Sequence, residues 1–336
     1  MKFHKKYLFL LLGSALILWT FFSIDSSFTP GQKIQVLSKS KSLKFAVMGD
    51  WGVRGKLQQK EVAQQLNTFS QSKGLDFIVT TGDNFYPVGV ESVEDEHWKE
   101  SYEDVYRGAS LNIPWYPVLG NHDYGGNLEA QFAYSADSKS WTFPGRYYAV
   151  EYKIANGQHI LMAFLDTSPF HDAYFEERKY EGIEASDSTL QKRWLEKVLG
   201  ESKADWKLIF GHHPLYTGGM RAKDKPYVRM HLEELLEKEG ADAYICGHEH
   251  DLQHISPPGG VEYFVSGAGA MVRPTGRIKY TKFSISQPGF MLFEVGEEKI
   301  GVEIINYEGA SLYQSSFGKV EKEPSLLRYL YELIAG

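Results

Sequence analysis

Leu43-Lys44-Phe45-Ala46-Val47-Met48-Gly49-Asp50-Trp51-Gly52 is the stretch from which the fold is read. Its apolar run is too short for a helix, contains β-branched and aromatic residues, and stops at a glycine followed at once by a carboxylate, so it reads as a buried strand. An amphipathic helical pattern follows over 56–73, then a second apolar run over 75–82, a helical pattern over 96–107 and a third run over 115–119. This β-α-β-α-β order implies parallel strands with covering helices. Further strands are expected at 146–154, 158–166, 206–211, 242–247, 261–266, 290–296 and 299–306, with helices at 188–201, 227–239 and 324–335. The pairs joined by Asn156-Gly157 and Glu298-Lys299 are spaced as antiparallel hairpins. The expected fold class is α/β, a two-sheet β-sandwich with flanking helices, in one domain over 43–318.

The sequence Gly49-Asp50-Trp51-Gly52 is the first of five segments built alike. The others are Gly82-Asp83-Asn84-Phe85-Tyr86, Gly120-Asn121-His122-Asp123, Gly211-His212-His213-Pro214 and Gly247-His248-Glu249-His250. Each follows an apolar run, and the carboxyl ends of strands in an open α/β sheet form the edge where ligands bind. Carboxylate, amide oxygen and imidazole together suit hard or borderline metal ions, and the lack of thiolate argues against a structural zinc finger. There are too many such donors for one ion, and a carboxylate among them can bridge two, as in two-metal hydrolases. His248 and His250 are two apart and point the same way in extended backbone. His212 and His213 are adjacent and are expected to point oppositely, with one of them reaching a metal. Singly, a Gly-Asp is usually a turn, a His-x-His usually surface, and Asn-His-Asp a helix cap. Five such turns in one order outweigh those readings.

The bulk properties fit this picture. The chain has 336 residues, 43% hydrophobic, enough for a large core. Its net charge of −7 and lack of a long basic block exclude a nucleic-acid footprint. An acidic protein acting on a phosphate must supply positive charge locally, and bound metal does so. Cys246 is the single cysteine and ends an apolar run, so it reads as a buried structural residue and no internal disulfide is possible. Lys2, Lys5 and Lys6 precede the apolar run Tyr7–Phe22, which places a signal peptide or signal anchor at 1–24 and the rest of the chain outside the cytoplasm. Residues 25–42 read as a linker, and 319–336 as a helical extension. Segment 167–187 shows no period and reads as a long surface loop, functional or inert.

With these motifs in place, the chain resembles the metallophosphoesterases, and Tyr86 narrows the resemblance to the purple acid phosphatases of the small tartrate-resistant type. The match extends to Pro114-Trp115-Tyr116, Asp251-Leu252-Gln253 and Gly267-Ala268-Gly269, covering residues 43 to about 315. The resemblance implies a metallophosphoesterase fold with a dimetal site at strand C-terminal ends. It implies a ferric ion on Asp50, Tyr86 and His250, and a divalent iron, zinc or manganese on Asn121, His212 and His248, with Asp83 bridging. It further implies an acid phosphatase that cleaves small phosphate monoesters with a metal-bound hydroxide. His122 would contact substrate and protonate the leaving group, beside Asn121. In that family a second histidine follows the GHxP motif; here Arg221 falls near its position, able to bind phosphate but not to donate a proton, and His213 stands where relatives carry an aromatic residue. Both are counted as candidate substrate contacts. The alternatives are a phosphodiesterase or nucleotidase on the same centre and a non-catalytic binding module; all the family's ligand positions are filled, which disfavours the latter. The expected state is an exported monomer.

Overall fold

The computed structural model describes residues 30–319 except 178–179, 181 and 184–186. The segments read as leader (1–24) and as terminal helix (324–335) lie outside the described residues. The elements run β1 (Gln32–Leu37), β2 (Leu43–Met48), α1 (Gln59–Lys73), β3 (Phe77–Thr80), α2 (Glu96–Trp98), β4 (Trp115–Pro117), α3 (Leu128–Ala133), β5 (Tyr148–Lys153) and β6 (His159–Phe164). Then come α4 (Ser188–Gly200), β7 (Trp206–Phe210), α5 (Tyr227–Glu239), β8 (Ala243–Cys246), β9 (Leu252–Ile255), β10 (Glu262–Ser266), β11 (Thr281–Ile285), β12 (Gly289–Val295), β13 (Lys299–Asn306) and β14 (Ser311–Gly318).

They form two sheets. One has the order β14-β13-β12-β2-β3-β4, and the other β1-β5-β6-β7-β8-β10-β9-β11. β2, β3 and β4 are parallel in the first; β6, β7, β8 and β10 are parallel in the second. The sheets face each other across a core of aromatic side chains. Phe45 of β2 meets Phe210 of β7 edge-on at 6.1 Å, Phe77 of β3 stacks on Tyr152 of β5 at 5.2 Å, and Phe293 of β12 meets Phe264 of β10 at 5.3 Å. The far side of the larger sheet is covered by Leu195 and Leu199 of α4 and Leu232 and Leu236 of α5. Strands buried on both faces carry near-continuous apolar runs, which is why these were the legible ones.

Three expectations are corrected. Residues 32–37, inside the stretch read as a linker, are strand β1, paired in parallel with β5. The helix expected over 96–107 is one α-turn followed by a π-helical turn, Lys99–Glu103, in which Asp104 N bonds Lys99 O. The wider turn accommodates Trp98 and Tyr102 in an aromatic cluster with Trp51, Phe85, Trp115 and Trp141. Strands β9, β11 and β14 and helix α3 were not anticipated.

Candidate active site

The parallel strands β2, β3 and β4 of one sheet and β7 and β8 of the other end along one edge of the sandwich. Loops leaving those ends are stitched within each sheet, by Asp50 N donating to Gly82 O at 3.0 Å and Gly247 N to His212 O at 3.0 Å, and across the two sheets by His248 N donating to the Asp50 carboxylate at 2.9 Å. Asp50, Asp83 and His248 adopt left-handed backbone, with φ of 58°, 49° and 67°. Non-glycine residues hold such angles only where the surroundings enforce them, and each costs about 1–3 kcal/mol. Glycines let the loops approach: a Cβ on Gly120 would lie 2.2 Å from Asp83 Oδ1, and one on Gly247 2.6 Å from Asp50 Oδ2.

The side chains so placed fall into two groups. In the first, Tyr86 Oη lies 2.9 Å from Asp50 Oδ1, 2.8 Å from Asp83 Oδ2 and 3.2 Å from His250 Nε2. In the second, His212 Nε2 lies 3.2 Å from Asn121 Oδ1, 3.1 Å from His248 Nδ1 and 3.4 Å from Asp83 Oδ1. Asp83 therefore belongs to both, one oxygen to each. All seven residues are buried. His212 Nδ1 donates to Thr81 O at 2.8 Å, which turns Nε2 toward the group.

Such knots of acceptors suit cations. Burial, and then Asp50 and Asp83, push the Tyr86 phenol well above its ordinary pKa. Burial opposes charge on His212, yet Asp83 and Asp50 overrule it and lift the imidazole to about 9. Burial and the neighbouring His213 and His212 push His248 well below its ordinary value. Carboxylates and imidazoles thus compete for protons in a dry pocket, a strain that metal ions would relieve. The donor set (carboxylate, amide oxygen, imidazole and phenol oxygen) fits two ions sharing one carboxylate.

Around the groups lie further side chains. His122 N donates to Asp83 Oδ1 at 2.8 Å, and its Nδ1 sits 2.7 Å from Pro87 O, so that among the described residues Nε2 is unengaged. His213 does not point away from His212 as the strand period suggested. The pair lies beyond the end of β7, where strand alternation no longer applies, and His212, His213 and His248 bring ring nitrogens within 4.8 Å of one another. His213 is nevertheless fully engaged, by Thr167 Oγ1 at 2.9 Å and Tyr174 Oη at 2.9 Å. Arg221 lies at the edge, its backbone N on Glu249 Oε1 at 2.8 Å. Sequence reading missed Thr167, Tyr174 and Glu249. Tyr174 lay in the aperiodic segment 167–187, whose aromatic content was the available signal.

The comparisons agree with this geometry. The calcineurin-like phosphoesterase family matches residues 43–252. Tartrate-resistant acid phosphatase type 5 of Rattus norvegicus is 34% identical over 301 residues, 82% of this chain and 90% of that protein. Purple acid phosphatase 4 of Arabidopsis thaliana is 34% identical over 294 residues, 83% and 84% of the two chains. Among solved structures, the GAP50 anchor of the inner membrane complex of Plasmodium superposes with a TM-score of 0.72 at 24% identity, covering 87% of this chain and 95% of that one. A purple acid phosphatase from yellow lupin seeds gives 0.63 at 16% identity, covering 87% and 55%. The chain belongs to the calcineurin-like phosphoesterases and, within them, to the purple acid phosphatases. It is a phosphoric monoester hydrolase with a dinuclear metal centre.

Proposed function

We propose that the chain hydrolyses small phosphate monoesters at an Fe(III)–M(II) pair, M being iron, zinc or manganese. Asp50, Tyr86 and His250 would hold the ferric ion, Asn121, His212 and His248 the divalent ion, and Asp83 both. The observation that carries this is the division of Asp83's two oxygens between two donor groups, only one of which contains a phenol. When bound, the pair activates a water as nucleophile and neutralises charge developing on the phosphoryl oxygens.

The chain's own residues do the rest. His122, anchored through Nδ1 to Pro87 O, presents Nε2 toward the ester. As the P–O bond to the leaving group breaks, protonated His122 gives its Nε2 proton to the departing alkoxide. Asn121 is kept in register by its own carboxamide, Oδ1 toward His212 and Nδ2 toward Tyr180 Oη at 3.5 Å. Thr167 and Tyr174 lock His213 as a wall that keeps bulk water from one side.

The test is the visible spectrum of purified residues 26–336 and its hydrolysis of nitrophenyl and bis-nitrophenyl phosphate. A broad tyrosinate-to-iron band that vanishes in Tyr86→Phe, with faster monoester cleavage, supports the reading. A colourless, fully metallated protein, or preference for the diester, would overturn it.

We propose further that the chain is exported as a monomer, cleaved or anchored at its leader. Lys2, Lys5 and Lys6 ahead of the apolar run 7–22 support this. Cell fractionation with mass spectrometry of the mature N-terminus checks it; a protein retained whole in the cytoplasm refutes it.

A further inference from the structure

Glu249 stands between His248 and His250 but turns away from the donor groups. Its side chain is 1% exposed, and among the described residues its Oε2 makes no hydrogen bond. Its one ion-pair partner among the described residues is Arg221, whose Nη1 lies 3.7 Å from Oε2, and whose backbone N donates to Oε1 at 2.8 Å. The same Nη1 donates to His248 O at 3.3 Å. Gly219 closes over the pair, and a Cβ there would meet Glu249 Oε2 at 2.6 Å. A carboxylate is rarely buried without a compensating charge, so this glutamate is matched to that arginine. The guanidinium is not consumed by the pairing. It is a third exposed, it has five N–H donors, and those other than Nη1 have no protein partner among the described residues. Its hydrogen bond to the His248 carbonyl sets it beside the second donor group.

We propose that Glu249 is a positioning residue that holds Arg221 over the reaction centre as a phosphate-binding fork, selecting monoesters over diesters. This rests on the monoesterase reading above. A guanidinium held from behind by a carboxylate and a carbonyl presents its free edge in a fixed direction, the geometry that recognises phosphate oxygens two at a time. A monoester dianion carries three terminal oxygens and two charges, whereas a diester carries two oxygens and one charge. The monoester therefore gains more from the fork. Because arginine does not give up its proton, Arg221 contributes binding only, and leaving-group protonation falls to His122.

The experiment compares Arg221→Gln, Arg221→Lys, Glu249→Gln and the Arg221→Gln/Glu249→Gln double variant, each checked for metal content and melting temperature. Inorganic phosphate binding by calorimetry and the kinetics of nitrophenyl and bis-nitrophenyl phosphate are the readouts. Arg221→Gln is expected to weaken phosphate binding and raise the monoester KM by roughly tenfold or more, with the diester far less affected. Arg221→Lys should recover part of the charge but not the fork. Glu249→Gln should reproduce most of the Arg221→Gln effect, and the double variant should be no worse than Arg221→Gln. Phosphate affinity unchanged in Arg221→Gln would overturn the proposal. So would a Glu249→Gln variant that loses metal while keeping the phosphate affinity of its metallated fraction. If the unaltered, metal-loaded protein binds no phosphate, the monoesterase reading falls as well; if only the variants fail to differ, this inference alone falls.

Discussion

Asp83 concentrates the chemistry of the site in one side chain. Its two oxygens face different donor groups, its Oδ1 accepts from His122 N, and its backbone sits at φ 49°. Asp83→Asn keeps the volume and tolerates left-handed backbone, but it removes a charge and one acceptor. Bound metal is expected to fall from two equivalents toward one, and turnover by about a hundredfold or more, as elemental analysis and kcat would read. Gly120→Ala reaches the same end by steric means, since its Cβ would lie 2.1 Å from Asp83 N; metal content should drop although no ligand is altered. Thr167 acts differently. Its hydroxyl oxygen accepts from His212 N at 3.2 Å and His213 N at 3.0 Å, and also meets His213 Nδ1. Thr167→Val leaves buried polar groups without a partner, at a cost of about 1–3 kcal/mol, visible as a lower melting temperature at unchanged metal stoichiometry.

At the scale of elements, β1 shows how an edge strand is secured. It pairs along Gln32–Leu37 with β5, and Gly31 O just before it accepts from Trp194 Nε1 at 3.1 Å. Glu151 of β5 bonds Lys33 of β1 and, at 3.0 Å, His159 of β6. Partial burial would raise the Glu151 pKa, but Lys33 and His159 overrule it, so the carboxyl is held below its ordinary value. A carboxyl depressed in the folded state stabilises above its unfolded pKa, about 4.3, and that contribution is lost as pH falls through the folded value. Melting curves of the wild type and Glu151→Gln should therefore differ near neutrality and converge in acid, once the pH has fallen through the folded value. A constant gap throughout would show that the loss is one of packing rather than charge.

For the whole molecule, the two sheets and the centre are one construction. Asp50 and Asp83 come from one sheet, His212, His248 and His250 from the other, and all are buried. Metal bound there ties the sheets together and favours only the folded state. A free ion at 100 times its dissociation constant adds about 2.7 kcal/mol per site. Chelation should lower the melting temperature, and readdition of metal should restore it, by calorimetry with and without chelator. An equal melting temperature in both would mean the loops are organised without ions. No helix among the described residues is long and apolar enough to cross a membrane.

The sequence alone determined the strands buried on both faces, because continuous apolar runs such as Phe77–Thr80 and Ala243–Cys246 can satisfy themselves only inside a sheet. It also marked the glycine-led loops, because glycine followed by metal-liking side chains at a strand end is a local pattern. Three of the four edge strands escaped it, β4 being the exception. β1, β11 and β14 contain only partly exposed and exposed residues and carry weak apolar signals; the hydrogen bonds offered by a neighbouring sheet edge make them strands. Tertiary structure alone decided the rest of the site. That His212 and His213 bring ring nitrogens together depends on a turn beyond β7, and that His213 is pinned by Thr167 and Tyr174 depends on a loop brought back over the strand ends. The pairing of Glu249 with Arg221, 28 residues apart, arises because both loops leave the same edge of the same sheet. Local patterns specify which residues can bind; the packing of two sheets specifies which of them meet.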